Sequence, residues 1–380
     1  MTTRIPVMKP LLGESEAAAA ASAVLSGWVA QGPRVAEFEK RFAGTVGAAH
    51  GVAVSSCTTA LHLGLVLLGV EAGDEVVVPS LSFIATANAA RYVDAVPVFA
   101  DVEAATGNLT AKTVEAVLTP RTRAVIVVHQ GGMPADVAEI RSLCDPLGIA
   151  VLEDAACAIG STYAGRPVGA GSRAAAWSFH PRKLLTTGEG GMLTLGDGDL
   201  SARARRLREH GMSVSAADRE ASGGAVLEEY LEVGFNYRMT DIQAAVGLVQ
   251  LTRLDDIVGQ RRVLADRYAR LLADVPGVST PADPPHGTTN HQSYVIRLDP
   301  ELAGRRNALL AELAAQGVSA RRGIMAAHTE PAYAGHPHGD LAVTERLTAS
   351  TLILPLFHGL TSGDQDRVVE TLARALDDLR

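Results

Sequence analysis

The chain has 380 residues, of which 47% are hydrophobic and 20% are charged, a composition typical of a well-packed enzyme and not of a disordered or fibrous protein. Its net charge of -8 disfavours a nucleic-acid partner, because binding to phosphate backbones needs clustered basic residues. The three cysteines show no CxxC spacing and no apolar run approaches the roughly 20 residues that cross a bilayer, so we expect no disulfide framework, no metal site, no membrane span and a cytoplasmic location.

The first part of the chain is predicted to alternate helices with strands. Its opening residues lack the apolar core of a signal peptide, and an alanine-rich helix covers 15–25. A connector rich in helix breakers leads to a second helix that begins at Arg34. A strand at 51–54 is then followed by the hydroxyl-rich turn 55–59 and a helix at 60–68. This order points the amides of a helix N-terminus at an anion.

Further apolar runs predict strands, most of them separated by helical segments, at 75–78, 97–100, 124–128, 149–152, 174–177 and 192–195. Near-continuous apolar strands that alternate with helices indicate an α/β fold with a mostly parallel sheet buried on both faces. Ligands bind beyond the carboxyl ends of the strands in such sheets. Candidate site residues follow several of these strands: Ser56, Cys57, Thr58, Thr59, Phe83, Asp154, Ser178 and Lys183.

The last part of the chain is predicted to form a second, smaller α/β unit. Its predicted elements are, in chain order, a loop at 211–224, a helix at 242–254 capped by Thr240 or Asp241, a long amphipathic helix at 255–272, a strand at 293–298, and helices at 305–316 and 364–379. We therefore divide the chain into a large domain, residues 1–254, and a small C-terminal domain, residues 255–380.

One lysine stands out because lysine is scarce in this chain. The only lysines are Lys9, Lys40, Lys112 and Lys183, and only Lys183 lies between two apolar strand-like runs in glycine-rich surroundings. A desolvated lysine can lose its proton and form a Schiff base with an aldehyde, which an arginine cannot do. We therefore hypothesise that Lys183 holds an aldehyde cofactor.

A pyridoxal phosphate site would also need a phosphate cup, and the turn 55–59 contains no basic residue that could provide it by charge. A helix N-terminus contributes roughly 0.3–1 kcal/mol to anion binding, and hydroxyl donors add to it. The amides of Cys57, Thr58 and Thr59, with the hydroxyls of Thr58 and Ser178, would form the cup. The alternative is that this turn only caps the following helix.

The ring of such a cofactor would need a carboxylate at its nitrogen and a cover for one face. Asp154 ends a buried strand and could hold the ring nitrogen protonated through a charge-assisted hydrogen bond of roughly 1.5–3 kcal/mol. Strand alternation turns the neighbouring Glu153 the other way. Phe83 could cover the ring. The alternatives are that Asp154 caps a following helix and that Phe83 is a core residue.

Motifs across almost the whole chain resemble the DegT/StrS sugar aminotransferases, which are fold-type I pyridoxal phosphate enzymes. The matching segments are GWVAQGP at 27–33, SCT at 56–58, PSLSFIAT at 79–86, EDAA at 153–156, SFHPRKLLTTGEGG at 178–191 and GFNYRMTDIQ at 234–243. By this resemblance Lys183 carries the cofactor, Asp154 pairs with its ring nitrogen and Phe83 stacks on its ring. Thr58 and Ser178 would hold the phosphate.

The resemblance further implies that Asn236 reaches the cofactor phosphate of a neighbouring subunit, so that a homodimer has its active sites at the subunit interface. Trp28 and Gly32, from the first matching segment, are candidate substrate-binding residues. The family reaction is ping-pong transamination, in which the cofactor cycles between pyridoxal phosphate and pyridoxamine phosphate. Lys183 would be displaced by the amino donor, L-glutamate in the family pattern. It would then move the proton, its pKa lowered by desolvation and by the cationic ring.

The chain departs from the family pattern at two places. Cys157 stands where Gln or His is usual, so it would lie near the 3-oxygen of the ring without making the same hydrogen bond. The alternative interpretation of Cys157 is that it is a small buried packing residue. The segment RRGIMAAH at 321–328 replaces a segment rich in tyrosine and proline. Arg322 could bind a substrate carboxylate or phosphate with both guanidinium nitrogens, or it could be a surface arginine. His180 and His328 are candidate substrate-site residues with the same two alternatives.

We therefore predict an aminotransferase that acts on a keto-sugar, nucleotide-linked in antibiotic or polysaccharide biosynthesis. The alternatives are a keto-cyclitol acceptor or another pyridoxal phosphate reaction on a carboxylated substrate. A related branch of sugar dehydratases carries histidine at the lysine position, and Lys183 argues against that reading. A catalytically idle regulatory or scaffolding homologue is disfavoured by the intact set of Lys183, Asp154 and Ser178.

Overall fold

The computed structural model describes residues 4–215 and 227–379. The strands are β1 (His50–Val54), β2 (Glu75–Pro79), β3 (Val96–Ala100), β4 (Thr122–Val128), β5 (Ala150–Asp154), β6 (Thr162–Tyr163), β7 (Arg166–Pro167), β8 (Ala174–Ser178), β9 (Gly191–Leu195), β10 (Val278–Ser279), β11 (Gly287–Thr288), β12 (Tyr294–Leu298), β13 (Arg321–Arg322) and β14 (Thr351–Leu354). Most of the loop predicted at 211–224 lies outside the described residues.

The α-helices are α1 (Glu14–Leu25), α2 (Pro33–Val46), α3 (Cys57–Leu67), α4 (Ala85–Arg91), α5 (Ala111–Glu115), α6 (Val137–Cys144), α7 (Gly198–Leu207), α8 (Asp241–Leu251), α9 (Leu254–Leu272), α10 (Arg306–Ala315), α11 (Ala342–Ser350) and α12 (Ser362–Asp378). Short 3-10 turns occupy Gln130–Gly132, Asp145–Leu147, Pro300–Arg305, Ala327–Thr329 and Pro331–Tyr333. Within the described ranges, no helix is at once long enough and apolar enough to cross a membrane.

The large sheet has seven strands in the order β1-β9-β8-β5-β4-β2-β3. Its neighbours pair in parallel except at β9, which runs antiparallel to both β1 and β8. The predicted mostly parallel α/β sheet is confirmed. Because the parallel strands end on one side, the carboxyl ends of β1, β2, β5 and β8 meet there, as the site prediction requires.

Both faces of this sheet are buried, and alternate residues of each strand enter different clusters. Val52 and Val54 of β1 pack in a cluster with α3, whereas Ala53 packs with Trp177 of β8 and the Phe42 ring of α2. Burying a valine or phenylalanine side chain stabilises the fold by about 1.5–3 kcal/mol. This two-sided burial explains why the strands are apolar throughout instead of alternating.

A second, antiparallel sheet of order β10-β12-β14-β13 forms another core with α10 and α12. Helix α9 connects the two cores: Ile257 packs in a cluster of the large sheet, and Tyr268 packs in that of the second sheet. Ile5 bridges Val318 and also belongs to the second core. The division into domains 1–254 and 255–380 stays a prediction. Ile5, from the start of the chain, packs with residues of the predicted small domain.

Candidate active site

Lys183 lies in the turn between β8 and β9, and a glutamine from the second unit fixes that turn. The Lys183 amide donates to the carbonyl of His180 over 2.8 Å. Gln292 is buried and donates from Nε2 to the carbonyl of Arg182 at 2.7 Å. Its Oε1 accepts from the amide of Leu184 at 3.1 Å. The backbone on both sides of the lysine is therefore held by one side chain, which sequence reasoning did not identify.

The amine of Lys183 lies 3.0 Å from the Sγ of Cys157. Burial lowers the pKa of Lys183. The nearby Cys157, Cys57 and Asp154 together raise it by more than burial lowers it, so the pKa of Lys183 lies above its ordinary value. In the cofactor-free protein, these neighbours therefore outweigh the lowering of the Lys183 pKa that desolvation is expected to cause. Cys157 therefore contacts the lysine directly, and its predicted place near the ring of the cofactor stays a prediction.

Asp154 ends β5 with its carboxylate buried and oriented. Oδ1 accepts from the amide of Ala156 at 3.1 Å, and Oδ2 accepts from the hydroxyl of Thr86 at 3.1 Å. Burial raises the pKa of Asp154, although these two hydrogen bonds and the charge of Lys183 oppose the rise. No helix lies between β5 and β6, so Asp154 does not cap one. Thr86 thus joins the site as the residue that orients this carboxylate.

The turn before α3 supplies part of the predicted phosphate cup. Ser56 is the N-cap: its Oγ accepts from the amide of Thr59 at 3.2 Å, and Thr59 Oγ1 accepts from the amide of Ser56 at 3.1 Å. The amide of Thr59 is therefore already used, contrary to its predicted role in the cup. The amides of Cys57 and Thr58 lie in the first helical turn, where the helix offers them no acceptor.

The register of β9 brings Ser178 to the same edge. Gly191 pairs with Ser178 on one side and with Val54 on the other. A Cβ on Gly191 would lie 2.6 Å from the amide nitrogen of Cys57, so only glycine lets the turn before α3 approach this closely. Ser178 and the start of α3 therefore flank one glycine, so these predicted cup residues share one edge of the sheet.

Phe83 and Asn236 are both open to solvent. Phe83 precedes α4, the helix that carries Thr86, and is 70% exposed. Asn236 is exposed and forms a backbone bridge with Glu209. Among the residues that the structure describes, both side chains are exposed, and their predicted roles stay proposals.

The two candidate histidines have partners of their own. His180 Nδ1 accepts from the amide of Arg182 at 3.1 Å, and its Nε2 lies 4.0 Å from a carboxylate oxygen of Glu189. His328 Nδ1 lies 2.6 Å from the hydroxyl of Ser80, the residue that follows β2. Both rings are thus tied to turns at the carboxyl edge of the large sheet, and their predicted substrate roles stay untested.

Trp28 and Gly32 pack the connector before α2. A Cβ on Gly32 would lie 2.8 Å from the Trp28 ring and 2.9 Å from Asp241 Oδ2. Asp241 accepts from the amides of Arg34 and Val35, so it caps α2, while Thr240 caps α8. Gly32 also lines a separate cavity of about 250 Å³. Within one chain, the structure does not place Gly32 in the cavity beside Lys183.

Strand β13 shows which of two adjacent arginines faces the lysine. Arg322 Nη2 lies 4.0 Å from a carboxylate oxygen of Glu330. Adjacent residues of a strand point to opposite sides. Arg321 lines a cavity of about 180 Å³ together with Lys183 and Cys157. Within the described residues, Arg321 and not the predicted Arg322 lines the cavity beside Lys183, and the substrate role of Arg322 stays a prediction.

The donor set fits pyridoxal phosphate. A single amine, a buried carboxylate, and a cup of amides and hydroxyls without a cation match the aldehyde, ring nitrogen and phosphate of that cofactor. In the part of the chain that the structure describes, no group of three or more His, Cys, Asp or Glu side chains is placed to hold a metal ion.

The chain matches the family model of the DegT/DnrJ/EryC1/StrS aminotransferases over residues 10–373. The chain belongs to this family. The spore coat polysaccharide biosynthesis protein SpsC of Bacillus subtilis is 39% identical over 373 residues, which are 97% of this chain and 96% of that protein. The sequence resemblance is thereby confirmed, and the chain is a pyridoxal phosphate-dependent aminotransferase.

Solved structures agree with this assignment. The aminotransferase TlmJ of Streptoalloteichus hindustanus is 39% identical, covers 99% of both chains and superposes with a TM-score of 0.91. A putative sugar aminotransferase of Streptococcus pneumoniae, Spr1654 in its PMP form, is 26% identical, with a TM-score of 0.93 over 99% of this aminotransferase and 100% of that chain. The predicted fold-type I architecture is therefore confirmed.

Glu153 offers a matched comparison for Asp154, because it precedes Asp154 on β5 and is equally buried. His129 Nε2 lies 3.2 Å from Glu153 Oε2, and the Ser172 hydroxyl donates to Oε1. Burial raises the pKa of Glu153, but His129, Ser172 and Arg141 outweigh it, so its pKa is lowered. The two carboxylates therefore have pKa values shifted in opposite directions.

We expect neutral variants of the two carboxylates to change the stability of the cofactor-free protein in opposite directions. Near neutral pH, Asp154→Asn removes a charge that folding disfavours and raises the free energy of unfolding by about 1 kcal/mol. The gain disappears below the ordinary Asp pKa of 3.8, where wild-type Asp154 is protonated in both states. Glu153→Gln lowers the free energy of unfolding by a similar amount, and that loss fades as the pH falls through the lowered pKa of Glu153. Urea unfolding across the acid range measures both, and equal signs would contradict the assignment.

Proposed function

We propose that this aminotransferase moves the amino group of an amino acid, L-glutamate by family resemblance, to a keto-sugar. The observation that carries the proposal is the grouping of Lys183, Asp154 and the cup before α3 at one edge of the large sheet. The functions named for SpsC and Spr1654, polysaccharide biosynthesis and sugar amination, support a sugar acceptor. We further propose that the acceptor is nucleotide-linked and belongs to polysaccharide or antibiotic biosynthesis.

Each residue of the site has a distinct role in this proposal. Pyridoxal phosphate, when bound, supplies an aldehyde that carries the amino group and a ring that accepts electrons, and it cycles through pyridoxamine phosphate. Asp154 would hold the proton on the ring nitrogen, with Thr86 fixing the carboxylate. The amides of Cys57 and Thr58, with the hydroxyls of Thr58 and Ser178, would bind the phosphate. Phe83 would cover the ring.

Lys183 would attach the cofactor and then carry the proton. Its charge acts on the pKa of Asp154, and general-base catalysis by a positioned amine contributes roughly 10²–10⁴ in rate. The raised pKa of Lys183 keeps the amine protonated in the cofactor-free protein. Cys157, 3.0 Å from Nζ, is a polarisable neighbour in the space that Gln or His would otherwise fill.

Replacement of the lysine tests the assignment of Lys183 directly. Lys183→Ala should abolish transamination and remove the absorbance of the bound cofactor near about 420 nm, because no Schiff base with the protein can form. Lys112→Ala, at an exposed lysine in α5, is the control and should leave both unchanged. Retention of activity and colour in Lys183→Ala would overturn the mechanism. A wild-type protein that stays colourless with added cofactor would instead favour an idle homologue.

The acceptor is identified by a half-reaction screen. The enzyme is loaded as pyridoxamine phosphate, and the return of the 420 nm band, a property of the cofactor at about that wavelength, reports amination of the added ketone. We expect nucleotide-linked keto-sugars to restore the band and free keto acids other than 2-oxoglutarate to fail. If keto-cyclitols alone restored the band, the proposed keto-sugar acceptor would be wrong and an aminocyclitol-forming reaction would be supported.

We also propose a cytoplasmic homodimer with active sites at the subunit interface. The three cysteines are free thiols, which suits a reducing compartment. The exposed Asn236 is available to the cofactor phosphate of a second subunit, as the family resemblance implies.

Mixing of inactive variants tests the shared site. Lys183→Ala and Asn236→Ala should each be inactive or weakly active alone. A statistical mixture of the two should recover about a quarter of wild-type activity, because half of the dimers are mixed and each holds one intact site. Activity that stays at the sum of the two variants after subunit exchange would show that both residues serve the same chain.

A further inference from the structure

The cavity beside Lys183 is lined by positive charge that lining residues do not balance. Its volume is about 180 Å³, and Arg182 and Arg321 line it together with the lysine. None of its described lining residues is Asp or Glu; the remainder are Cys157, Gln292, Ser293 and an apolar wall that includes Met8 and Leu356. Burial, and then the nearby charge of Arg182, lower the pKa of Arg321. An anion in the cavity would relieve this repulsion.

In the described part of the chain, the two guanidinium groups also lack partners. Among residues 4–215 and 227–379, no hydrogen bond or ion pair joins the side chain of Arg182 or Arg321 to another group. The contrast is with the adjacent Arg322, which meets Glu330. Unpaired guanidinium groups beside the amine of Lys183 present fixed donors suited to a carboxylate.

We infer that Arg182 and Arg321 bind a carboxylate of the amino donor and so place its amine at the position of the Lys183 Nζ. This inference rests on the proposed transamination and adds the residues that recognise the donor. The α-carboxylate of any amino acid is bonded to the same carbon as its amine, so a carboxylate site next to Nζ aligns that carbon with Lys183. The apolar wall accommodates the methylene groups of the donor.

The size and wall of the cavity favour the donor over the phosphates of a nucleotide-linked acceptor. A nucleotide diphosphate carries several charges and a large polar body, whereas this cavity has an apolar wall and one arginine pair. The carboxylate could be the α-carboxylate of the donor or its side-chain carboxylate. The chemistry of recognition is the same, and the choice of donor in the experiment separates the two sources.

The test measures binding of glutarate, the carbon skeleton of glutamate without its amine, to the holoenzyme by titration calorimetry. Arg321→Gln should weaken glutarate binding by about ten- to a hundredfold, the loss expected for a charge-assisted hydrogen bond. Arg182→Gln should weaken it in the same sense, and Arg321→Lys should restore part of the affinity because it keeps the charge without the planar fork. Glutaramide, the neutral analogue, should bind the wild type and Arg321→Gln alike.

Arg322→Gln is the matched control, because it removes one positive charge from the next residue of the same strand. Its glutarate affinity should stay within about twofold of wild type, as expected for an exposed charge outside the cavity. Thermal unfolding of each variant checks that the exposed substitutions leave the fold intact. Equal losses in Arg321→Gln and Arg322→Gln, or no glutarate binding by wild type, would overturn the inference.

Half-reactions with L-glutamate and L-alanine identify the carboxylate. Equal loss for both donors in Arg321→Gln supports recognition of the α-carboxylate, and a loss for glutamate alone supports recognition of the side chain. A variant that binds glutarate normally but reacts poorly with the keto-sugar would overturn the inference, since the anion would then belong to the acceptor. If wild type binds glutarate but aminates no ketone, the proposed function fails while the carboxylate site stands.

Discussion

Burial of the Asp154 carboxylate is the constraint on which the site depends. A carboxylate removed from water must find donors, and the amide of Ala156 and the hydroxyl of Thr86 provide them. Because Thr86 lies on α4, which follows β2, its hydrogen bond to Asp154 joins the carboxyl ends of β2 and β5. In the cofactor-free protein, these donors offset only part of the free-energy cost of burying the charge, so the pKa of Asp154 is raised. A cationic ring nitrogen placed there would offset it.

The two units of the chain divide the work. The large sheet supplies the chemical groups, Lys183 and Asp154, whereas the second unit supplies restraint and charge. Asn290 Nδ2 donates to the carbonyl of Cys157 at 2.8 Å, and Gln292 holds the lysine turn. Each such hydrogen bond contributes about 1 kcal/mol net, but its larger effect is geometric because it fixes the backbone from which Nζ projects. Arg321 adds a charge to the same cavity.

Local pattern predicts the elements of this fold well because the large sheet is buried on both faces. The strand predicted at 174–177 is Ala174–Ser178, and the rule that ligands bind at carboxyl ends correctly groups Lys183 with Asp154. Gln292 and Arg321 escape such reasoning, since they reach the site through contacts across more than 100 residues of chain. Alternation says that Arg321 and Arg322 face opposite ways, but the register of an edge strand decides which one faces the lysine. Serine is a preferred N-cap residue, so the N-cap role of Ser56 is readable from the sequence, whereas its partner Thr59 stands where the capping-box signature has Glu or Gln.

The double hold of Gln292 on the lysine turn has a consequence for motion. With the carbonyl of Arg182 and the amide of Leu184 both bound to one side chain, the backbone of the turn is restrained, while the four-carbon stem of Lys183 is not. Moving Nζ between an attached and a free position therefore requires only changes of side-chain rotamer. Such changes take about picoseconds to nanoseconds where the side chain has room, against microseconds for the rearrangement of a loop. The lysine can thus swing repeatedly while its anchor stays still.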